Sequence, residues 1–232
     1  MTGAAAAVRA ALLEHSPLDA EETGQQLHRR RVVVAATLVV GAVLLGFSLT
    51  TAPGDETFYL LTSALAAVWA VGGLLSGRLH LGRIDLLGTS RRPVLTAFAI
   101  GLAAAAVFVL GALVVREIEP LRHLVEKVLD HARRGNLALI TVVTVANGIA
   151  EEIFFRGALF SAIGRHRPVL ISTVIYTVVT LASGNLMLTF AAASLGGVWG
   201  LQRRASGGVL ASIITHVTWS VIMLFALPPL FN

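Results

Sequence analysis

Residues 137–163 read LALITVVTVANGIAEEIFFRGALFSAI. A helix that crosses a bilayer needs about 17–25 predominantly apolar residues, and this run supplies them. Its charged residues are confined to Glu151, Glu152 and Arg156, about midway along. The stretch is therefore expected to be a membrane helix with an ionisable centre.

Six further apolar runs flank it, at 32–49, 58–75, 94–115, 168–183, 186–201 and 207–230. The runs 168–183 and 186–201 are short for a span, and Ser183-Gly184-Asn185 between them is a turn signal. The expected fold is an all-α polytopic membrane bundle of about seven transmembrane helices. Composition agrees. The 232 residues are 56% hydrophobic and only 13% charged, against about 25% charged in a soluble domain, and mean hydropathy is +0.80.

Cysteine is absent, which excludes a disulfide framework, Cys-ligated zinc, an iron–sulfur cluster and a Cys nucleophile. The pI of about 10.9 does not point to nucleic acid, because the basic residues cluster at the ends of apolar runs, where they set topology. Residues 1–28 are polar, and the first apolar run begins only after Arg29-Arg30-Arg31 with no cleavage-like site following.

Arg29–Arg31, then Arg78, Arg83, Arg91 and Arg92, then Arg165 and Arg167, then Arg203 and Arg204 fall at alternate ends of the runs. Seven spans with a cytoplasmic N-terminus put all these clusters inside, the arrangement expected of a multi-pass protein in a bacterial plasma membrane. The segment 116–136 strains that rule, with Arg116, Arg122, Lys127, Arg133 and Arg134 on the outer side. Its apolar residues Ile118, Leu121, Leu124, Val125, Val128, Leu129 and Ala132 recur at spacings of three and four. That pattern predicts an interfacial amphipathic helix. Ala4 to Glu14 carries a weaker helical signal. The expected organisation is a cytoplasmic segment 1–31, accessory spans and the connector at 32–136, and a core at 137–230.

A charged side chain at a helix centre costs about 2.5–3.5 kcal/mol on insertion scales, so three in one span need compensation. Glu152 and Arg156 are four apart, on one face, and can pair. Glu151 points about 100° away from Glu152, and its neighbour one turn back is Asn147. A carboxylate without a partner suits a general base or a shared-proton role, against the plainer reading that it holds the bundle together by hydrogen bonds. His216 in the last run lies within about 5 Å of the height of Glu151 at 1.5 Å per residue, and Thr180 falls at a similar level. His216 is accordingly a candidate partner. Gly196, Gly197 and Gly200 permit close helix approach.

Glu151-Glu152-x-x-x-Arg156-Gly157, followed by a Gly-rich span and a last span carrying His216, resembles the CPBP family of CAAX-processing and bacteriocin-processing membrane proteases. The resemblance covers roughly 137–230. It implies a membrane-embedded endopeptidase in which Glu151 activates water and Glu152 with Arg156 supports it. The family's Phe-x-x-x-His becomes Tyr176-x-x-x-Thr180 here, and its His-x-x-x-Asn or Asp becomes His216-x-x-x-Ser220. Catalytic zinc takes three protein ligands. With Glu152 committed to Arg156, Glu151 and His216 are what remains for a metal, so zinc is implied by the resemblance but its ligand set is incomplete. A metal-free route would use Glu151 as base, with His216 and Ser220 donating to the oxyanion.

Two other classes stay open. One is an inactive relative serving as a membrane scaffold or partner-binding protein. The other is a proton-coupled carrier, against which stands the lack of an inverted repeat or paired broken helices. The expected partners are the lipid bilayer, a protein or peptide substrate and a membrane-protein partner, with no nucleic acid.

Overall fold

The computed structural model describes residues 3–16, 22–86 and 88–231. The chain forms α1 (Gly3–Leu13), α2 (Gly24–Ser48), α3 (Glu56–Ser76), β1 (Ile84–Leu86), β2 (Thr89–Arg91), α4 (Val94–Val115), α5 (Glu119–Arg134) and α6 (Leu137–Ile163). After these come α7 (Pro168–Leu181), α8 (Leu186–Ser206), α9 (Leu210–Ala226) and a closing 3₁₀ turn at Pro228–Leu230. The segment 153–159 inside α6, and the last turn of α1, are π-helical.

The helices run alternately between two ends. At one end Arg30 meets the Arg78 carbonyl at 3.3 Å, Arg31 donates to the Ala162 carbonyl at 3.1 Å, and Arg204 reaches the Leu12 carbonyl at 3.5 Å. The start of α2 and the ends of α3, α6 and α8 therefore gather there. At the other end His131 of α5 approaches the Thr51 carbonyl at 3.3 Å, Asn185 donates to the Leu124 carbonyl at 2.6 Å, and Arg133 donates to the Pro228 carbonyl at 3.0 Å. α5 lies across that second end as a connector, with Leu129 buried and Arg122 and His123 exposed.

Among the described residues four helices are long and apolar enough to cross a membrane: α2, α3, α4 and α6. α7 and α9 are apolar but shorter, and α8 gives its last turn to Arg203 and Arg204. Large side chains such as Leu95, Val107 and Leu110 of α4 and Val39 of α2 face outward. Outward apolar surface over such helices is the mark of an integral membrane protein, where lipid rather than water covers it.

Helix ends are capped by the residues that flank them. Thr23 and Gln26 form a capping box on α2. Asp55 accepts from Thr57 N at 2.7 Å, and that backbone hydrogen bond holds its exposed carboxyl below the usual aspartate range. Asn136 caps α6 and Asn185 caps α8.

In lipid no hydrophobic force drives helices together, so close packing has to hold them. The indole of Trp69 fills the space at Gly41, where an added Cβ would lie 2.1 Å from its ring. Trp69 stands at the start of an aromatic chain through the core. Ring centroids are 5.0 Å apart for Trp69–Phe155, 4.6 Å for Phe155–Tyr176, 6.1 Å for Tyr176–Trp199 and 3.9 Å for Trp199–His216. The chain links α3, α6, α7, α8 and α9, and it surrounds the charged centre of α6.

A short antiparallel hairpin, Ile84 opposite Arg91, has no counterpart in the sequence reading. It is too brief and too polar for a period-two signal. The segment leading into it docks on the turn between α8 and α9: Val209 N donates to His80 O at 2.9 Å and Arg83 N to Ser206 O at 2.8 Å.

Candidate active site

The ionisable centre of α6 sits where its α-helical part ends at Glu152 and the π run Ile153–Leu159 begins. π turns are rare and occur mostly inside α-helices, frequently at functional sites. Glu152 and Arg156 are both 0% exposed, and Arg156 Nη1 donates to Glu152 Oε1 at 3.1 Å. A buried ion pair is expensive to desolvate and needs further contacts. Arg156 has them: Nη2 donates to the Gly196 carbonyl at 3.2 Å, and the guanidinium lies 4.6 Å from the Tyr176 ring and 5.0 Å from that of Trp199. Arg203 donates to the Arg156 carbonyl at 2.8 Å and fixes the backbone beneath it.

Glu152 Oε1 has a second neighbour. His216 Nδ1 lies 3.0 Å from it. A carboxylate only accepts, so Nδ1 carries the hydrogen, and in the neutral ring Nε2 is left as the acceptor. The ring lies nearly parallel to Trp199, at 16°. His216 thus contacts Glu152 through its ring nitrogen, where the sequence placed it opposite Glu151. Glu152 Oε2 has no hydrogen-bond partner among the described residues.

Glu151 faces another way. Tyr176 of α7 donates its hydroxyl to Glu151 Oε2 at 2.6 Å. Unlike Glu152, Glu151 is only partly buried. Glu151, Glu152, Arg156 and His216 therefore come together with two residues that sequence reasoning gave no polar part, Tyr176 and Trp199. One signal could have found Tyr176. It is one of two tyrosines in the chain and lies in an apolar run, where a phenol hydroxyl needs a partner.

The remaining candidates are placed less centrally. The Thr180 hydroxyl, one turn beyond Tyr176, donates to the Tyr176 carbonyl at 2.8 Å. Ser220, one turn beyond His216, is buried. The Asn147 amide donates to Thr62 O at 3.1 Å and Val143 O at 2.9 Å, tying α6 to α3 rather than reaching Glu151. Below His216, Gln202 donates to Thr215 Oγ1 at 2.8 Å, and Thr215 donates to Ala97 O at 2.9 Å, which secures α8, α9 and α4 around the site.

Zinc, which the resemblance implies, does not fit this donor set. Among the described residues no group of three or more His, Asp, Glu or Cys is placed to hold a metal ion. Glu152 Oε1 is shared between Arg156 and His216, and Thr180 satisfies its own helix. A guanidinium sits where a metal would need an anionic ligand to be free.

No curated protein and no solved structure matches the chain. One family model does, described as Rce1-like, type II CAAX prenyl endopeptidase, over residues 133–222. The matched segment holds every ionisable residue of the site together with Tyr176, Thr180 and Ser220, and the match agrees with the resemblance to the CPBP intramembrane proteases.

Proposed function

We propose that this protein is a membrane-embedded endopeptidase that cleaves a membrane or lipid-proximal protein with a water activated by Glu151. The observation that carries the reading is the contrast between the two glutamates. Glu152 is sealed between Arg156 and His216, whereas Glu151 keeps accessible surface and is oriented by one hydroxyl. In this mechanism Glu151 accepts a proton from water as the oxygen attacks the scissile carbonyl, and passes that proton to the amide nitrogen as the C–N bond breaks and the amine leaves. The mechanism requires His216 as the imidazolium, both ring nitrogens donating, Nδ1–H to Glu152 and Nε2–H to the oxyanion, with Ser220 as a second donor. A positioned base contributes about 10²–10⁴-fold, and one oxyanion donor about 10²–10³-fold.

The core is 137–230, within seven spans and with the N-terminus in the cytoplasm of a bacterial cell. The experiment is cleavage of a lipidated peptide ending in a CAAX-type sequence by protein reconstituted in liposomes. Glu151→Gln and His216→Ala each remove the activity while leaving the protein inserted.

A second reading has its own support. Arg156, Glu152 and His216 satisfy one another, and Thr180 stands where the family places a His, so the same centre could serve as the core of a membrane scaffold that binds a protein partner. Full complementation of a deletion strain by both variants selects that reading over hydrolysis.

A further inference from the structure

At the arginine-rich end of the bundle a cavity of about 520 Å³ opens between α1, α6, α7 and α8. His15, Arg165, Arg167 and Arg204 supply its charge, and Phe160, Val169, Leu170 and Gly197 supply its apolar wall. Among the described residues that line it there is no Asp or Glu. Among the described residues Arg204 Nε has no hydrogen-bond partner, and Nη2 donates to the Leu12 carbonyl. The start of α7 forms one side, and a helix N-terminus adds partial positive charge. Arg167 itself is held at φ 47, a conformation a non-glycine residue rarely adopts, and it directly precedes Pro168.

We propose that this cavity binds the phosphate headgroup of an anionic phospholipid, with an acyl chain lying along Leu170 and Val169. Charge and position both select that occupant. The cavity combines cations with an apolar wall at the mouth of two helices, the level at which headgroups meet acyl chains. Leu170 is 56% exposed and continues the lipid-facing surface of α7 from the cavity edge. Basic pockets between membrane helices recognise acidic headgroups in this way. The peptidase reading plays no part here, since no side chain of the catalytic cluster lines the cavity.

The test uses the full-length protein in neutral detergent, titrated with dioctanoyl phosphatidylglycerol, dioctanoyl phosphatidylcholine or inorganic phosphate, with thermal unfolding as readout. Phosphatidylglycerol raises the unfolding temperature saturably, while the other two do not. Arg167→Gln and Arg204→Gln each weaken that half-saturation about fivefold, as expected for one cation near a headgroup. Gly197→Phe checks the same site without touching charge. An added Cβ at Gly197 meets nothing within 4 Å, so the ring is expected to fill the cavity and abolish the response. An equal response to phosphatidylcholine, an equal response to inorganic phosphate, or an unchanged response in Gly197→Phe would each overturn the proposal.

Discussion

Tyr176 donates its hydroxyl to Oε2 of Glu151 at 2.6 Å, joining the middle of α7 to the middle of α6. The same ring carries the Arg156 guanidinium on its face, 4.6 Å from the centroid. One side chain therefore holds the half-buried glutamate by its edge and the buried arginine by its face. Tyr176→Phe keeps the second contact and deletes the first. A hydrogen bond to a charged group contributes about 1.5–3 kcal/mol, so the variant is less stable by about that amount and unfolds at a lower denaturant concentration. If Glu151 is the base, kcat falls and the pH profile of cleavage moves while KM changes little. An unchanged pH profile would place Tyr176 in packing alone.

Arg156→Ala should cost far more folded protein than Glu151→Gln. Removing the guanidinium strands Glu152 in a dry interior, and breaking a buried pair in this way costs about 3–5 kcal/mol. It also empties the space between the Tyr176 and Trp199 rings and frees the Gly196 carbonyl. Glu151→Gln keeps the shape of the side chain and an oxygen for Tyr176. Membrane abundance measured by quantitative blotting separates the two, and equal abundance would contradict the buried pair.

Much of the fold was legible because lipid leaves the chain few options. The apolar runs 94–115 and 137–163 coincide with α4 and with α6, since a span is read from length and hydropathy alone. α8 runs to Ser206, past the expected end at 201, because Gln202 and Arg203 are buried against neighbouring helices rather than solvated. The pairing of Glu152 with Arg156 follows from a spacing of four. The contact from His216 to Glu152, and that from Tyr176 to Glu151, could not be read this way. Each depends on how two helices distant in sequence are rotated about their axes, and equal height says nothing about rotation. Charge patterning was legible too: the clusters at Arg30, Arg78 and Arg204 gather at one end of the structure.

That gathering predicts a topology. With seven crossings, a reporter fused before Arg29 and one fused after Asn232 lie on opposite sides of the membrane, the first in the cytoplasm. α7 decides the parity. Its 14 residues rise about 21 Å at 1.5 Å each, short of a hydrocarbon core of about 30 Å, so it crosses only if the flanking turns or a thinned bilayer make up the difference. Reporters on the same side would mean that α7, or another of the short helices, does not cross.

Restoring the family's two missing groups tests whether these helices already surround one reactive centre. Thr180 lies one turn beyond Tyr176 on α7, and Ser220 lies one turn beyond His216 on α9, so each shares a face with a residue that contacts a glutamate. The Thr180 hydroxyl spends its hydrogen on the Tyr176 carbonyl. Replacing it with histidine releases no buried charge and returns an imidazole to that face. In Thr180→His with Ser220→Asn, the introduced imidazole joins Glu151 and His216, which completes the three protein ligands that a catalytic zinc takes. The double variant is expected to co-purify with close to one zinc per chain, measured by elemental analysis, while the unmodified protein carries none in stoichiometric amount. Cleavage by the double variant should then be abolished by a chelator, whereas any activity of the unmodified protein should survive it. A double variant that folds and inserts without taking up zinc would mean that positions 180 and 216 do not face a common point, and the catalytic reading would then rest on Glu151 and Tyr176 alone.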